Sequence, residues 1–195
     1  IPNNFINSGF AQTKALRDAL KTFKTSGKFV VAYADISTQK DYYLSSIADT
    51  IYLNPAGSME VKGLYTERLY FKDCQEKSGL KMEVVRLGKY KSAVEPFLTN
   101  EMSDNNRIQI EAYLTSLWSS IKQDISESRN ISVEQLNVIA DSLLARKPYL
   151  AKNSGLIDKI EYQDEYVNGM KYAIGLEPND RLNTISIKDY AEYTA

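Results

Sequence analysis

Segments with the spacing of amphipathic helices alternate with short apolar runs along the first half of this chain. Residues 11–23 carry apolar side chains at helical spacing, and the run "FVVAYA" at residues 29–34 follows a glycine that ends the helix. A second helix is predicted over residues 39–48, and a second strand over residues 50–54, which Pro55 ends. Helices that alternate with short strands predict an α/β fold with a mostly parallel sheet.

The rest of the chain is predicted to be mostly helical, with one further strand. Residues 81–87, "KMEVVRL", favour a third strand, and residues 183–193 are predicted to be partly extended. Ser103 is expected to cap a long helix whose apolar side chains recur at helical spacing. Because no linker is long enough to split the chain, we expect a single domain over residues 1–195. The other predicted helices cover residues 65–78, 132–141, 148–158 and 162–173.

The composition is that of an ordinary folded protein, and it excludes one class of partner. A chain of 195 residues with 43% hydrophobic residues can bury a sizeable core. Its formal net charge of −1 provides no excess of positive charge to attract a polyanion, so no nucleic-acid partner is expected. The longest apolar run, residues 29–34, is far too short to cross a bilayer. Any membrane association is therefore expected to depend on a segment outside this chain.

The chain contains no histidine, which removes the commonest catalytic base. Ser-His-Asp and Cys-His sites cannot be built, and neither can a metal site that uses histidine. A general base would have to be a lysine, an aspartate, a glutamate or a tyrosine. The single cysteine, Cys74, lies among apolar residues at helical spacing and is predicted to be a small buried hydrophobe. No metal ion or cofactor is expected.

A serine three residues before a lysine is the obvious pattern to look for, because that pair can act as nucleophile and base without histidine. It occurs three times, as Ser37/Lys40, Ser78/Lys81 and Ser119/Lys122. The second pair straddles a glycine that ends a predicted helix, and the third lies on a long surface helix. Three matches in one chain show that this spacing carries little information, so a structural role is favoured for all three pairs.

The segment "GKYKSAVEPF" at residues 88–97 is the most unusual stretch of the chain. Gly88 follows a predicted strand, at the place where α/β folds put functional residues. An apolar surround would disfavour the charged form of Lys91 and favour its use as a base. Four residues could supply that surround: Ala93, Val94, Pro96 and Phe97. The competing interpretation is a turn with two solvated lysines, Lys89 and Lys91, and spacing alone favours it.

Four segments, read together, change the interpretation of this lysine. They occur in order as "ALRDALKTFKTSGKFVVAYAD", "YYLSSIADTIYLNPAGSMEVKGL", "YFKDCQEKSGLKMEVVRLGKYKSAVEPF" and "IADSLLARKPYLAKNSGLIDKI". In this combination the chain resembles the signal peptide peptidase A family, also called protease IV, over nearly its whole length. In the long bacterial form of that family, the pattern G-x-Y-K-S-A-V-E-P-F carries the catalytic lysine. The resemblance places that lysine at Lys91 and makes Lys89 a variable neighbour.

The resemblance implies a Ser-Lys peptidase with the ClpP/crotonase fold, a spiral of βαβ units. The family's nucleophile lies in an S-G-G-Y-(Y/W) turn before a helix. The corresponding stretch here is "QKDYY", so Gln39 stands at the position of the serine, and its amide cannot attack a carbonyl group as an alkoxide does. In the long form the N-terminal half brings the lysine and the C-terminal half brings the serine. The chain therefore matches the N-terminal half, with Lys91 as general base for a serine outside this chain.

Substrate and partners are also implied by the resemblance. The expected substrate is a signal peptide remnant left in the membrane, bound as an extended strand beside a sheet edge. The segment "GSMEVKG" is a candidate for that edge, with the substrate-binding residues Gly57, Ser58, Met59 and Gly63. The expected partners are the C-terminal half of the same protein and further copies in a homo-oligomer. The expected location is the outer, periplasmic side of the bacterial cytoplasmic membrane, and this chain alone is expected to be inactive.

Two alternatives remain open. The first is a degenerate protease-like domain that acts as a non-catalytic scaffold for oligomer assembly or substrate presentation. The retained "YKSAVEPF" argues against it, because a scaffold needs no lysine at that position. The second is a crotonase-type acyl-CoA enzyme, which ranks last because the chain has no paired glycine-rich oxyanion turn and no acidic base at a suitable place.

Overall fold

The computed structural model describes residues 1, 5–85, 87–88 and 90–194. Contacts group the chain into two compact units, one made of Ile1–Val61 with Val138–Ala195 and the other of Lys62–Asn137. The single domain predicted over residues 1–195 stays a prediction.

Helices and short strands alternate along the first part of the described chain, as the sequence predicted. The strands are β1 Val31–Ser37, β2 Thr50–Met59 and β3 Lys159–Ile160. The helices are α1 Phe10–Thr25, α2 Gln39–Ser45, α3 Lys72–Ser78, α4 Glu95–Leu98, α5 Asp104–Arg129, α6 Val133–Asp141, α7 Pro148–Asn153, α8 Gln163–Ala173 and α9 Ile187–Thr194. The α/β class is thereby confirmed, whereas the spiral of βαβ units stays a prediction.

The three strands of the first unit form a parallel sheet in the order β1-β2-β3. The pairing of β1 with β2 shifts between Ala34 and Ile36, and it resumes with Ile36 opposite Ser58. Extra residues on β2 form a bulge at this shift. Because the bulge accommodates Pro55, β2 does not end there as predicted but continues to Met59.

The core of the first unit joins segments that are far apart in the sequence. Tyr42 of α2 is fully buried, and its hydroxyl group donates a hydrogen bond of 2.9 Å to the carbonyl oxygen of Leu156. Two residues later, Asp158 Oδ2 accepts a hydrogen bond of 2.8 Å from the backbone nitrogen of Ile51 in β2. These two bonds tie the segment after α7 to both α2 and the sheet.

The second unit is mostly helical, and the long helix predicted after Ser103 is confirmed as α5. Ser103 Oγ accepts a hydrogen bond of 3.3 Å from the backbone nitrogen of Asn106, as an N-cap residue should. α5 is 26 residues long. Even so, neither α5 nor any other helix in the described part of the chain is long and apolar enough to cross a membrane.

The strand predicted at residues 81–87 is wrong for the residues that the structure describes there. Residues 81–85 and 87 lie in no strand, and the backbone nitrogen of Met82 donates to Gln75 Oε1 at 3.1 Å instead. The side chain of Val85 is 100% exposed. An apolar, β-branched run is typical of strands only when a neighbouring strand and a core receive it.

Several helix boundaries also differ from the predictions: α2 ends at Ser45 rather than at residue 48, and α7 ends at Asn153 rather than at residue 158. The helix expected over residues 65–78 begins only at Lys72, because the backbone nitrogen of Phe71 donates to the carbonyl oxygen of Pro96 at 2.6 Å. Residues 183–193 were predicted to be partly extended, yet α9 begins at Ile187. Ser186 Oγ accepts from the backbone nitrogen of Asp189 at 3.1 Å, and this cap starts the helix.

The prediction for Cys74 is wrong as well. The thiol-bearing side chain is exposed, because α3 buries none of its residues. α3 begins at Lys72 and contains no apolar residue besides Cys74, so the apolar helical spacing expected around Cys74 is not found in this helix.

Candidate functional site

The segment predicted to carry the catalytic lysine lies in the second unit, and its described residues around the lysine, Gly88, Tyr90 and Lys91, are exposed. Gly88 has a φ of +98°, a conformation that glycine adopts easily and other residues rarely adopt. A Cβ atom added at this position would lie 3.9 Å from Lys91 Cγ. The side chain of Lys91 is exposed, and Lys89 lies outside the described residues. Gly88 thus turns the chain shortly before Lys91.

Lys91 lines an open cavity of about 670 Å³ with mostly apolar walls. Ala93 and Val94 line the same cavity, as expected from the sequence. The other apolar wall residues are Val84, Val85, Leu87 and Tyr90. The sequence interpretation missed them as parts of a site, and it assigned Val84, Val85 and Leu87 to a third strand.

Pro96 and Phe97 do not join this cavity, although the sequence interpretation placed them around the lysine. Pro96 is buried, and its carbonyl oxygen accepts the hydrogen bond from Phe71 described above. The ring of Phe97 stacks on Phe71 with a centroid separation of 5.6 Å, and Gln75 Nε2 donates to the carbonyl oxygen of Phe97 at 2.8 Å. Both residues therefore fix α4 against α3.

Glu95, which immediately precedes this pair, is a site residue that the sequence interpretation missed. Its side chain is only 3% exposed. The carboxylate accepts hydrogen bonds from Ser103 Oγ and from Asn106 Nδ2, the latter at 2.7 Å. A buried carboxylate requires such donors, because burial without them is costly. The lysine segment is therefore linked to the start of α5 through a buried acid.

Gln39, which the resemblance places at the position of the family's serine, is the first residue of α2 in the first unit and is buried. The residues that replace the two glycines have structural contacts. Lys40 Nζ donates to the carbonyl oxygen of Ser8 at 2.7 Å. Asp41 forms a capping box with Thr38, in which Thr38 Oγ1 accepts from Asp41 N at 3.3 Å and Asp41 Oδ2 accepts from Thr38 N at 3.0 Å.

The Ser-x-x-Lys pairs have contacts that agree with a structural role. In the first pair Lys40 makes the bond to Ser8, and Ser37 Oγ contacts the carbonyl oxygen of Thr38 at 3.4 Å. In the second pair Ser78 Oγ donates to the carbonyl oxygen of Gln75 at 3.0 Å. The partner lysine, Lys81, forms an exposed ion pair of 3.6 Å with Glu83. In the third pair Lys122 Nζ donates to Asn137 Oδ1 at 2.7 Å.

Three of the four predicted substrate-binding residues lie together on β2. Ser58 and Met59 pair with β1, and Met59 is 2% exposed in the core of the first unit. A Cβ atom on Gly57 would lie 2.2 Å from the carbonyl oxygen of Asp35, so close strand packing alone requires a glycine there. Gly63, with a φ of +85°, belongs to the second unit. Substrate binding by these four residues stays a prediction.

A polar cluster holds the bulge in the sheet. Tyr33 Oη donates to Asp35 Oδ1 at 2.8 Å, and Asn54 Nδ2 donates to the same carboxylate at 2.7 Å. Burial and the bond to Asp35 raise the pKa of Tyr33, so this phenol stays protonated at neutral pH. The cluster is thus suited to fixing the bulge rather than to accepting protons. In the described ranges, no group of three or more cysteine, aspartate or glutamate side chains could hold a metal ion.

Comparison with known proteins gives consistent matches. The model of peptidase family S49 matches residues 22–177. Protease 4 of Haemophilus influenzae is 36% identical over 179 residues, which cover 88% of this chain and 29% of the relative. Protease 4 of Salmonella typhi is 36% identical over 133 residues, covering 68% and 22%. The chloroplastic serine protease SPPA of Arabidopsis thaliana is 27% identical over 186 residues, covering 95% and 27%. The chain spans less than a third of the length of each of these relatives.

Proposed function

This chain belongs to peptidase family S49, and we propose that it is the lysine-bearing half of a serine peptidase. The membership confirms the resemblance to the signal peptide peptidase A family, whose relatives here are named Protease 4 and serine protease SPPA. Because the chain spans less than a third of those relatives, the activity belongs to a larger protein in this proposal. The observation that carries it is the lysine motif, which lies inside the matched region and places Lys91 beside an apolar cavity.

In this proposal Lys91 is the general base. It takes the proton from the attacking serine hydroxyl group and later returns it to the leaving amine. A base must be neutral before it accepts a proton, and burial disfavours the ammonium form of lysine. Since Lys91 is exposed in this chain, the partner half supplies the burial by covering the apolar cavity walls, such as Val85 and Leu87.

The nucleophile comes from outside this chain, from the C-terminal half of the same protein. Support comes from α2, where Gln39 occupies the position of the family's serine and Asp41 is engaged in the capping box. The oxyanion hole consists of backbone N–H groups near that external serine. The two halves together complete one Ser-Lys site.

The proposed substrate is a signal peptide remnant, which binds as an extended strand near Gly57, Ser58, Met59 and Gly63. The proposed setting is a homo-oligomer on the outer side of the bacterial cytoplasmic membrane. Membrane attachment is assigned to a segment outside this chain.

One observation favours a second candidate function, that of a non-catalytic scaffold. Lys91 is exposed here, whereas a working lysine base should be desolvated. A scaffold would use the same chain to assemble the oligomer or present substrate. Lys91 would then be a solvent-exposed lysine on a turn, with no catalytic role.

Labelling of the full-length protein with a serine-directed fluorophosphonate separates the two functions. Lys91→Ala should abolish labelling, because the serine would lose its base, and Lys89→Ala should leave it unchanged as the matched control. Full labelling of the Lys91→Ala variant would exclude Lys91 as the base and support the scaffold.

A further inference from the structure

The carboxylate of Glu95 joins two separate elements of the second unit. It belongs to α4, and it accepts hydrogen bonds from two side chains at the start of α5, those of Ser103 and Asn106. The backbone nitrogen of Ser103 also lies 3.5 Å from Glu95 Oε2. Three donors therefore converge on a side chain that is almost fully buried. Together they hold the carboxylate in one orientation relative to the start of α5.

The α5 end of this link is firmly held. Ser103 Oγ, which donates to Glu95, also accepts the capping hydrogen bond from the backbone nitrogen of Asn106. Arg107 N donates to the carbonyl oxygen of Ser103 at 2.9 Å, so the cap continues directly into the helical ladder. The negative charge also lies at the N-terminal end of the helix, where the macrodipole stabilises it.

The other end of the link reaches the lysine through the main chain. The backbone nitrogen of Glu95 donates to the carbonyl oxygen of Ser92 at 3.0 Å, which closes a turn immediately after Lys91. The next bond, from Phe97 N to the carbonyl oxygen of Val94, measures 3.1 Å. Glu95 therefore fixes both its own side chain on α5 and the turn that Lys91 enters.

We propose that Glu95 is a positioning residue for Lys91, which it aligns by fastening the turn at residues 92–95 to α5. This inference rests on the proposed role of Lys91 as general base. Burying a charge is a poor way to gain stability, because an apolar residue of similar size often serves as well. A carboxylate with several donors, however, allows only one orientation of the turn at residues 92–95 relative to α5. Such precision matters for a base, since a displacement of about 1 Å can slow a reaction about 100-fold.

Glu95→Gln in the full-length protein tests the proposal, because it keeps the shape of the side chain but replaces one acceptor oxygen with a donor. The turnover number for a peptide substrate should fall about 10-fold to 100-fold, while KM stays within about twofold. The matched control is Glu101→Gln, the same change at an exposed position nearby, which should alter neither constant. Asn106→Ala removes one donor to Glu95 without changing the turn itself, and it should also lower the turnover number. This variant replaces Glu95→Gln in the test if Glu95→Gln does not fold.

Amide hydrogen exchange of this chain supplies the readout that does not depend on activity. Glu95→Gln should speed exchange at the backbone nitrogens of Glu95 and Phe97, while the nitrogen of Ile51 in the first unit stays protected. Unchanged exchange in the turn would overturn the proposal, and so would faster exchange with unchanged turnover. A fall in turnover without faster exchange would also overturn it, because the loss would then not pass through the turn. If Lys91→Ala retains full activity, the proposed function fails instead, whatever Glu95→Gln does to exchange.

Discussion

The hydroxyl group of Tyr42 and the carbonyl oxygen of Leu156 lie 2.9 Å apart, although 114 residues separate them along the chain. Both residues are fully buried. The bond therefore joins two distant segments inside the first unit, where water cannot easily replace a lost donor.

Tyr42→Phe should lower the free energy of unfolding by about 1–3 kcal/mol, because it leaves the buried carbonyl oxygen of Leu156 without this donor. Urea denaturation measures the change. Tyr149→Phe, at a position that is 54% exposed, is the matched control and should be neutral. Equal stability of the Tyr42→Phe variant and the parent chain would show that the bond contributes nothing net.

Gly57→Ala should be more damaging than its single added methyl group suggests. The new Cβ would lie 2.2 Å from the carbonyl oxygen of Asp35 and 2.9 Å from that of Asn54, so the two strands must move apart at the bulge. We expect a loss of about 1–3 kcal/mol in the free energy of unfolding, measured by thermal or urea denaturation. The control is Ala56→Ser, which adds one atom at the exposed neighbouring position. A stable Gly57→Ala variant would contradict the close packing of β1 and β2.

Asp49 should make the stability of the chain fall at acid pH. Burial alone would raise the pKa of Asp49, but hydrogen bonds from Lys24 Nζ and from the backbone nitrogen of Val30, each of 2.8 Å, outweigh it and lower the pKa below 3.8. The folded state therefore binds the proton less readily than the unfolded state. The stabilisation is complete above the unfolded value and is lost as the pH falls through the folded value.

Asp49→Asn tests this dependence. The substitution should destabilise the chain at pH 6, and the difference from the parent should shrink as the pH falls below 3.8. Thermal denaturation at several pH values gives both curves. Asp18→Asn, which removes an exposed ion pair of 3.3 Å with Lys14, should have little effect at any of these values. A constant difference between parent and Asp49→Asn across the range would refute the assignment.

The isolated chain should neither react with a fluorophosphonate nor hydrolyse peptides, because the proposed nucleophile lies outside it. Mass spectrometry of the treated chain detects any covalent adduct, and the full-length protein treated in parallel is the positive control. Ser37→Ala and Ser45→Ala variants would identify the source of an adduct in the isolated chain. A serine-dependent adduct would contradict the division of the site between two halves.

The sequence predicted best where the determinants are local. The cap at Ser103 and the spacing of apolar residues after it lie within one helix, so α5 could be predicted without knowing its neighbours. The strand prediction failed at the described residues 81–85 and 87, because a strand depends on a partner strand that can lie anywhere in the chain. The cap at Ser186 was a local signal that the extended interpretation overlooked.

In the candidate site, too, the features set by neighbouring residues could be predicted, and those set by contacts between elements could not. The motif around Lys91 could be recognised from consecutive residues, and so could the proposed equivalence of Gln39 with the family's serine. The burial of Glu95 could not, because its donors follow eight and eleven residues later on another helix. The one available signal was an acidic residue in an apolar stretch beside a proline, followed by a Ser-x-x-Asn cap. Val84, Val85 and Leu87, which line the cavity, were assigned to a strand at residues 81–87.

The capping box of Thr38 and Asp41 has a consequence for redesign of this chain. Restoring a serine by Gln39→Ser would return a hydroxyl group to α2, but the backbone nitrogen of Asp41 would still be occupied by Thr38 Oγ1. The carboxylate of Asp41 would also repel a developing oxyanion at that helix start. The capping box stabilises the start of the helix by about 1 kcal/mol, but its N–H group is then not free to bind an anion. A nucleophile would therefore have to be introduced as a whole turn, with glycines at positions 40 and 41, and the chain would become less stable as it gained the means to react.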